Sequence, residues 1–553
     1  MEKRRFNGVV LIKCLVLVVF LGCSTARMQS NAGSELSQDN GIIIKSKYVL
    51  TSGGPIEGGI ICIRDGKILS VSEKVPEGIR ALTVLDLTSH VVSPGLINSH
   101  DHVSYNQMTP SKEVELPYVE ENARYDQRND WRKGLRGHKR LSYKSDFSKE
   151  VVAWGELRQI ISGTTTVVSS GGTDGLLRNL GNEKPTSSKL DSRREGLVSK
   201  KVFYNVFPLG DTKGQQITQG LDYPKHPKPE ELTDVIYVPH VSEGVDQVAR
   251  NEFINLSRDM VQHIGTNTYA CYDILSTNVM FIHMIALLRD DAQLAATKGV
   301  NHVWSPRSNL ALYGNTAYVP LYKALGMNIS LSTDWSCSGS MNLLRELALA
   351  CDLNENYFNK AFSNKELWQM VTVNAAKALQ ASSSIGDIKP GMLADLCVVK
   401  ISGFDDPFEA VIKARIENIA LAMRGGKVLY GDKAVLEGIP ANTGGQWDEL
   451  DVNGVAKLVD VLSETGFTLG QLQEANQNSY PLFFKGAPPD EPEGRPIRKF
   501  NPQCPGIGLY PIYPKDEDHD QDGIKDGDDN APKVFNPIRP VDVLNDKGQC
   551  PME

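Results

Sequence analysis

Short apolar runs separated by Gly and Pro open the periodic part of the chain, at residues 42–44, 48–50, 59–63 and 67–71. Their length and β-branched content predict strands. A related texture returns at 394–399 and 425–431, so both ends of a long middle segment carry small β pieces. The middle, 94–382, alternates strand-like runs with amphipathic helical stretches. Strands are expected at 165–168, 202–207, 235–239, 279–283, 300–304 and 329–331. Regular β–α alternation over this length predicts a parallel sheet, open or closed into a barrel. After Glu449 the texture changes. Residues 455–462 predict a short helix, and Pro-rich segments then lead to an acidic tail.

The first residues carry a different signal. Lys3, Arg4 and Arg5 precede an apolar stretch from Val9 to Leu21 that is too short to span a bilayer as a mature helix. Phe20-Leu21-Gly22-Cys23-Ser24 resembles a bacterial lipobox, in which Cys23 becomes the lipidated first residue. Cleavage by an ordinary signal peptidase near Ala26 is the alternative. Either way the chain is expected to be exported, and with Cys23 acylated it is lipid-anchored to the bacterial membrane, on its periplasmic or cell-surface side. Residues 24–40, rich in Ser, Asn, Gln and Gly, are expected to be a tether.

Composition narrows the class. The 553 residues are 41% apolar and 23% charged, which excludes a disordered chain. The net charge is −8, and eight carboxylates against one lysine fall between Asp516 and Asp529. The rest is close to neutral, and no basic patch suggests a nucleic-acid partner. The nine cysteines are widely spaced with no CxxC pair, which argues against a disulfide framework and a cysteine zinc site. Cys62, Cys271, Cys337, Cys351 and Cys397 are expected to be free thiols. Cys504 and Cys550, flanking the acidic tail, are a possible pair in an oxidising compartment.

Chemistry concentrates in Pro94-Gly95-Leu96-Ile97-Asn98-Ser99-His100-Asp101-His102. In a strand, residues i and i+2 share a face, so His100 and His102 are placed to grip one ion. Three further residues follow apolar runs: His240, His283 and Asp334. At the C-terminal ends of strands in a β/α barrel they would converge. His100, His102, His240 and Asp334 make a nitrogen- and oxygen-rich set suited to one Zn2+ or Fe2+, with a position left for water.

This set resembles the amidohydrolase superfamily. Gly163-Thr164-Thr165-Thr166 is similar to the family's third-strand entry. Ser305-Pro306-Arg307-Ser308-Asn309 resembles the Cys-Pro-x-Ser-Asn loop of the guanine deaminase and chlorohydrolase branch. Ile385-Gly386-Asp387-Ile388 through Ala394-Asp395-Leu396 resembles the return strand. The resemblance spans about residues 41–435. It implies an α/β fold: a (β/α)8 TIM-like barrel over 94–382, with a composite β-sandwich from 41–93 and 383–440. Residues 441–500 are then a C-terminal extension. Residues 201–207 have no interior Lys for a carboxylated, binuclear centre, and Lys213 lies in the following loop. His240-x-x-Glu243 looks like the mononuclear deaminase pattern, with Glu243 shuttling protons between the attacking water and the leaving nitrogen. His283 would polarise the substrate and Asp334 would orient the water. The implied function is a metal-dependent hydrolase of C–N bonds other than peptide bonds in a small substrate, by deamination or cyclic amide opening. A binuclear peptidase- or lactonase-like member, and an inactive calcium-binding surface lipoprotein, are the alternatives.

His90, His138, His226, His263 and His302 are expected to be surface or structural, with His302 the nearest rival for a site role. The insert from His102 to about Glu150 carries Tyr118, Arg124, Tyr125, Arg128, Trp131, Arg132 and Arg136, and is a candidate cover that selects an anionic substrate. Within the acidic tail (501–553), Asp518, Asp520, Asp522, Asp526 and Asp529 surround Gly523 in the register of a thrombospondin type 3 repeat, which implies a Ca2+ loop.

Overall fold

Runs rich in Val, Ile and Thr in the middle of the chain form eight strands: β1 (Leu96–Asp101), β2 (Thr164–Ser169), β3 (Arg178–Leu180), β4 (Lys201–Asn205), β5 (Val235–Val241), β6 (Met280–His283), β7 (Asn301–Trp304) and β8 (Asn328–Leu331). The structure, a computed structural model, describes residues 41–488 with interruptions at 80–82, 111–124, 170–174, 189, 192–193, 207–227, 258–259, 263–267, 271, 402, 438 and 440–446, together with Glu491 and Gly527. The expectations for the leader and Cys23, for Cys504 and Cys550, and for Asp518, Asp520, Asp522, Asp526 and Asp529 lie outside the described residues. No helix among the described residues is long and apolar enough to cross a membrane.

The eight strands pair in parallel. β1, β2 and β3 form one sheet, and β4 to β8 form a second in chain order. Isolated parallel bridges link Gly181 to Phe203 and Asp101 to Asp334. Fully buried Ile97, Val168, Leu180, Val202, Ile236, Ile282 and Val303 pack in one cluster. The arrangement is TIM-barrel-like. Helices between and around the strands include α1 (Arg128–Lys133), α2 (Lys149–Ile161), α3 (Gln247–Leu256), α4 (Arg289–Thr297), α5 (Pro306–Tyr313), α6 (Val319–Ala324) and α7 (Leu343–Asn356). Their starts are chemically marked: Asp246 caps α3 by accepting from the Ala249 N–H, and Pro306 occupies the first turn of α5.

The Gly163–Thr166 segment enters the second parallel strand, not the third. The third is Arg178–Leu180, whose three residues are too few and too polar to leave a hydrophobic period. The flanking β pieces also differ from a sandwich ending at residue 440. They form a single ten-stranded sheet around the parallel pair 42–51 and 83–94, and 448–452 and 455–459 extend its edge. Residues 455–459 are therefore a strand where a helix was expected. Lys457, the one polar break in that apolar stretch, is buried, and its ammonium donates to the Ile419 carbonyl (2.8 Å) and to Asp432. Sheet pairing thus satisfies a residue that a helical reading would expose. The expectation of free thiols holds for Cys62, Cys337, Cys351 and Cys397, all buried; Cys271 is not described.

The chain after 459 packs on the α/β body. Trp154 of α2 donates to the Tyr480 carbonyl at 2.9 Å. Arg158, also of α2 and fully buried, donates to the carbonyls of Asn106 (2.9 Å), Tyr480 (2.5 Å) and Pro481 (2.9 Å). One guanidinium thus ties the loop after β1 to the end of the described chain. Replacing it by an apolar side chain strands the buried Asn106 carbonyl, takes the guanidinium from Pro481 and leaves Tyr480 with Trp154 alone. For Arg158→Met the unfolding free energy is expected to fall by about 3 kcal/mol or more. Urea denaturation measures this, and a fall below about 1 kcal/mol would mean that water satisfies the carbonyls instead.

Candidate active site

His100 and His102 leave β1 on one face, and Asp101 between them faces away toward Gln159 of α2 (3.1 Å). His240 comes from β5. Asp334 lies just past β8, where a φ of 65° turns its side chain back toward β1. One ligand atom from each of these four residues falls within 4.8 Å of the others. The Nε2 atoms of His100 and His102 stand 3.0 and 3.3 Å from Asp334 Oδ1. All four are buried. Burial pushes the His100 imidazole down to about 4 and, with the neighbouring imidazoles, holds His240 well below the usual range. Burial opposes charge on Asp334, but hydrogen bonds from His100 and His102 outweigh it and keep the carboxylate ionised. Neutral imidazoles around one carboxylate are the protonation state a divalent ion requires.

A second group adjoins the first. His240, Glu243 and His283 also bring ligand-type atoms within 4.8 Å. Glu243 Oε2 lies 3.8 Å from His283 Nε2, which has no hydrogen-bond partner among the described residues. His283 Nδ1 pairs with Asn309 Oδ1 at 2.8 Å. The Trp131 indole N–H donates to the Tyr313 hydroxyl oxygen at 2.9 Å, and that hydroxyl donates to Glu243 Oε1 at 2.7 Å. Because an indole only donates, the direction of this chain is fixed. Ser242, His283 and Met284 have φ of 54°, 74° and 49°, so the backbone is left-handed at both turns that present the group.

The fourth strand presents Tyr204 where a binuclear centre would need a lysine. Its ring stacks on His100 at 5.4 Å, and its hydroxyl lies 3.3 Å from His102 Nδ1. A cavity of about 350 Å3 opens on this cluster. Tyr105, Trp131, Tyr143 and Trp335 supply flat apolar walls, and among the described residues Arg132 is the one cation in the lining. The arginines expected in the cover part company here. Arg128 is buried against Glu252, whose carboxylate also accepts from the Ser242 N–H (2.8 Å), so it supports the turn before Glu243. Arg124 and Tyr118 are outside the described residues, as is the side chain of Arg136.

Of the other histidines, His302 on β7 is fully buried against Tyr322 (5.1 Å) and stands outside both clusters. His90 and His138 lie away from the cavity, and His226 and His263 are not described. Sequence reasoning assigned no role to Tyr204, Tyr313, Asn309 or Trp335. Asn309 sat inside a recognised motif, but the others needed the tertiary arrangement to be noticed.

The sequence profile of the amidohydrolase family matches residues 249–430. A 5'-deoxyadenosine deaminase from Methanosarcina barkeri is 30% identical over 444 residues, covering 71% of this chain and 94% of that protein. The chain belongs to the amidohydrolase family. A 5-methylthioadenosine/S-adenosylhomocysteine deaminase from Thermococcus kodakarensis is 26% identical, covering 70% of this chain and 91% of that one. In fold, this amidohydrolase is similar to a triazine hydrolase variant (TM-score 0.52, 21% identity, 70% and 94% of the two chains). It is also similar to a zinc-complexed atrazine chlorohydrolase from Arthrobacter aurescens TC1 (TM-score 0.50, 20% identity, 70% and 95%). The amidohydrolase is a metal-dependent hydrolase acting on C–N bonds other than peptide bonds in a small substrate.

The donor set fits a divalent metal: three imidazole nitrogens and a carboxylate, all buried, with His100 and His240 held neutral and Asp334 ionised. Removing metal with a chelator should therefore lower the melting temperature, and adding Zn2+ should restore it. At free ion about a thousandfold above Kd, binding contributes about 4 kcal/mol. Thermal unfolding with and without Zn2+ measures the shift, and its absence would contradict metal binding to the native fold.

Proposed function

We propose that this amidohydrolase deaminates an adenine-type nucleoside. The observation that carries this is the flat-walled aromatic cavity opening directly on the His/Asp cluster and Glu243, sized for a planar heterocycle. The names of the two deaminase relatives favour the same substrate class. The two parallel sheets are taken as one closed eight-stranded barrel, a reading supported by the bridges at both seams. His100, His102, His240 and Asp334 would hold one Zn2+ or Fe2+. When bound, the ion supplies Lewis-acid activation of water. Asp334 orients that water. Glu243, held by Tyr313, takes its proton and returns it to the leaving amine. His283, whose Nδ1 hydrogen is given to Asn309, presents Nε2 to the substrate and would donate to the ring atom where charge develops as an imidazolium. Trp131 and Trp335 flank the ring and exclude water. Tyr204 in the strand-four slot favours one ion over two.

Incubation with 5'-deoxyadenosine, 5'-methylthioadenosine, S-adenosylhomocysteine, a hydantoin and a chlorotriazine, scored by product mass and released ammonia, tests the reading. Ammonia from one of the nucleosides is the expected result. Ring opening without ammonia would move the assignment to a cyclic amidase. Glu243→Gln should keep its metal and lose kcat by about a hundredfold or more. A fully active Gln variant would make Glu243 structural.

The remaining assignments also rest on sequence. Cys23 is proposed as a lipid anchor on an exported chain, with residues 24–40 as its tether. Asp518, Asp520, Asp522, Asp526 and Asp529 are proposed as a Ca2+ loop outside the catalytic body. Added Ca2+ should then protect the tail from limited proteolysis while leaving turnover unchanged. Identical digestion with and without Ca2+ would reduce the segment to a solvated linker.

A further inference from the structure

Two seams between the parallel strands lack a regular ladder: the one between β3 and β4, and the one between β1 and β8, where His100, His102 and Asp334 meet. β8 ends at Leu331, and Asp334, three residues later, is left-handed and meets β1 only through an isolated bridge to Asp101. On its other side, the pairing of β1 with β2 shifts register between Asn98 and Asp101. Backbone contact between β1 and the turn after β8 is limited to a few bonds, such as His102 N–H to the Asp334 carbonyl (2.8 Å) and Asp334 N–H to the His100 carbonyl (3.2 Å). Side chains take over there.

The Thr333 backbone N–H donates to Asn98 Oδ1 at 3.1 Å. A backbone N–H can only donate, so the orientation of the Asn98 amide is settled. Its Nδ2 then donates to Thr333 Oγ1 (2.7 Å) and to Asp101 Oδ2 (3.2 Å). Having accepted from Asn98, the Thr333 hydroxyl donates to Asp101 Oδ2 at 2.8 Å. Two more amides complete the carboxylate: Gln159 Nε2 at 3.1 Å from α2, and Asn106 Nδ2 at 3.0 Å on the other oxygen. Asn98, Asp101 and Thr333 are each at most 1% exposed. Asn98 is two residues before His100, Asp101 lies between the two histidines, and Thr333 precedes Asp334.

We propose that Asn98, Asp101 and Thr333 are positioning residues that interlock the two chain segments carrying the metal ligands, so that the site is preformed before an ion arrives. The Asn98 amide stands in for the strand carbonyl that the ladder lacks. The Asp101 carboxylate gathers donors from β1, the turn after β8 and α2, fixing the distance from His100 and His102 to Asp334. None of the three touches the ion or the substrate. The inference rests on the ligand set proposed above.

The test uses the full chain stripped of metal, with Zn2+ affinity measured by chelator competition and the visible absorption of the Co2+-loaded protein as a record of ligand geometry. Thr333→Val removes the hydroxyl at constant shape. It should weaken Zn2+ binding by about 10- to 100-fold and alter the Co2+ spectrum. Thr333→Ser, which keeps the hydroxyl, should restore both. Asn98→Ala breaks the same chain from the other segment and serves if the valine variant does not fold. A valine variant with native affinity and spectrum, or a serine variant as impaired as the valine one, would overturn the interlock and leave the ligand set standing. A native chain that binds neither ion would overturn the ligand set and the interlock together.

Discussion

Three imidazoles and a carboxylate facing one another in a buried site form an arrangement that most protein interiors avoid. Removed from water, each loses hydration that only a close partner can replace. Here burial keeps His100 and His240 neutral beside one anion, Asp334. The requirement governs the architecture around it. The ligands must come from strands distant in sequence, they must be sheltered, and their approach must be set by elements that do not yield. Parallel strands meet this, because their C-terminal ends gather at one mouth while their apolar bodies hold them rigidly below.

Rigid strands alone would stand the side chains perpendicular to the sheet. The site is built where the ladder stops. Left-handed backbone at Ser242, His283, Met284 and Asp334 swings the functional groups toward a common centre. Such conformations persist only when surroundings over-determine them. The Glu252 carboxylate accepts from the Ser242 N–H, and the Tyr322 hydroxyl donates to the Met284 carbonyl at 2.6 Å. Buried polar side chains therefore do at the mouth what backbone pairing does in the strands below.

Much of this was legible in the amino-acid order, and the reasons are physical. His-x-His after an apolar run has one geometric meaning in a strand. Likewise, His240, His283 and Asp334 each follow a run long enough to announce itself. β3 is three residues long and polar, so it leaves no period, and the strand count slipped at that point. Residues 455–459 were misread because one lysine in an apolar run mimics an amphipathic helix, until partners appear for its ammonium. Tyr204 and Tyr313 were invisible for another reason. An aromatic residue in a strand or helix is usually core, and only neighbours more than 60 residues away reveal a hydroxyl aimed at a site. The cover's arginines look alike in sequence, yet Arg128 is committed to Glu252 while Arg132 lines the cavity.

The long reach of Arg158 gives the fold a timetable. Its bond to the Tyr480 carbonyl joins residues 322 positions apart, and the Asn98–Thr333 contact spans 235. Contacts this distant form late, since the loop they close must lose its freedom before any bond rewards it. On a ribosome adding ~5–20 residues per second, the carbonyl of residue 480 follows Arg158 by roughly 16–64 s. For that interval Arg158 lacks its partners at Tyr480 and Pro481. The histidines that open the site are thus among the first chemistry-bearing residues made and among the last to be held. An ion arriving early would meet only His-x-His on an unfinished sheet, so stable loading belongs to the completed chain.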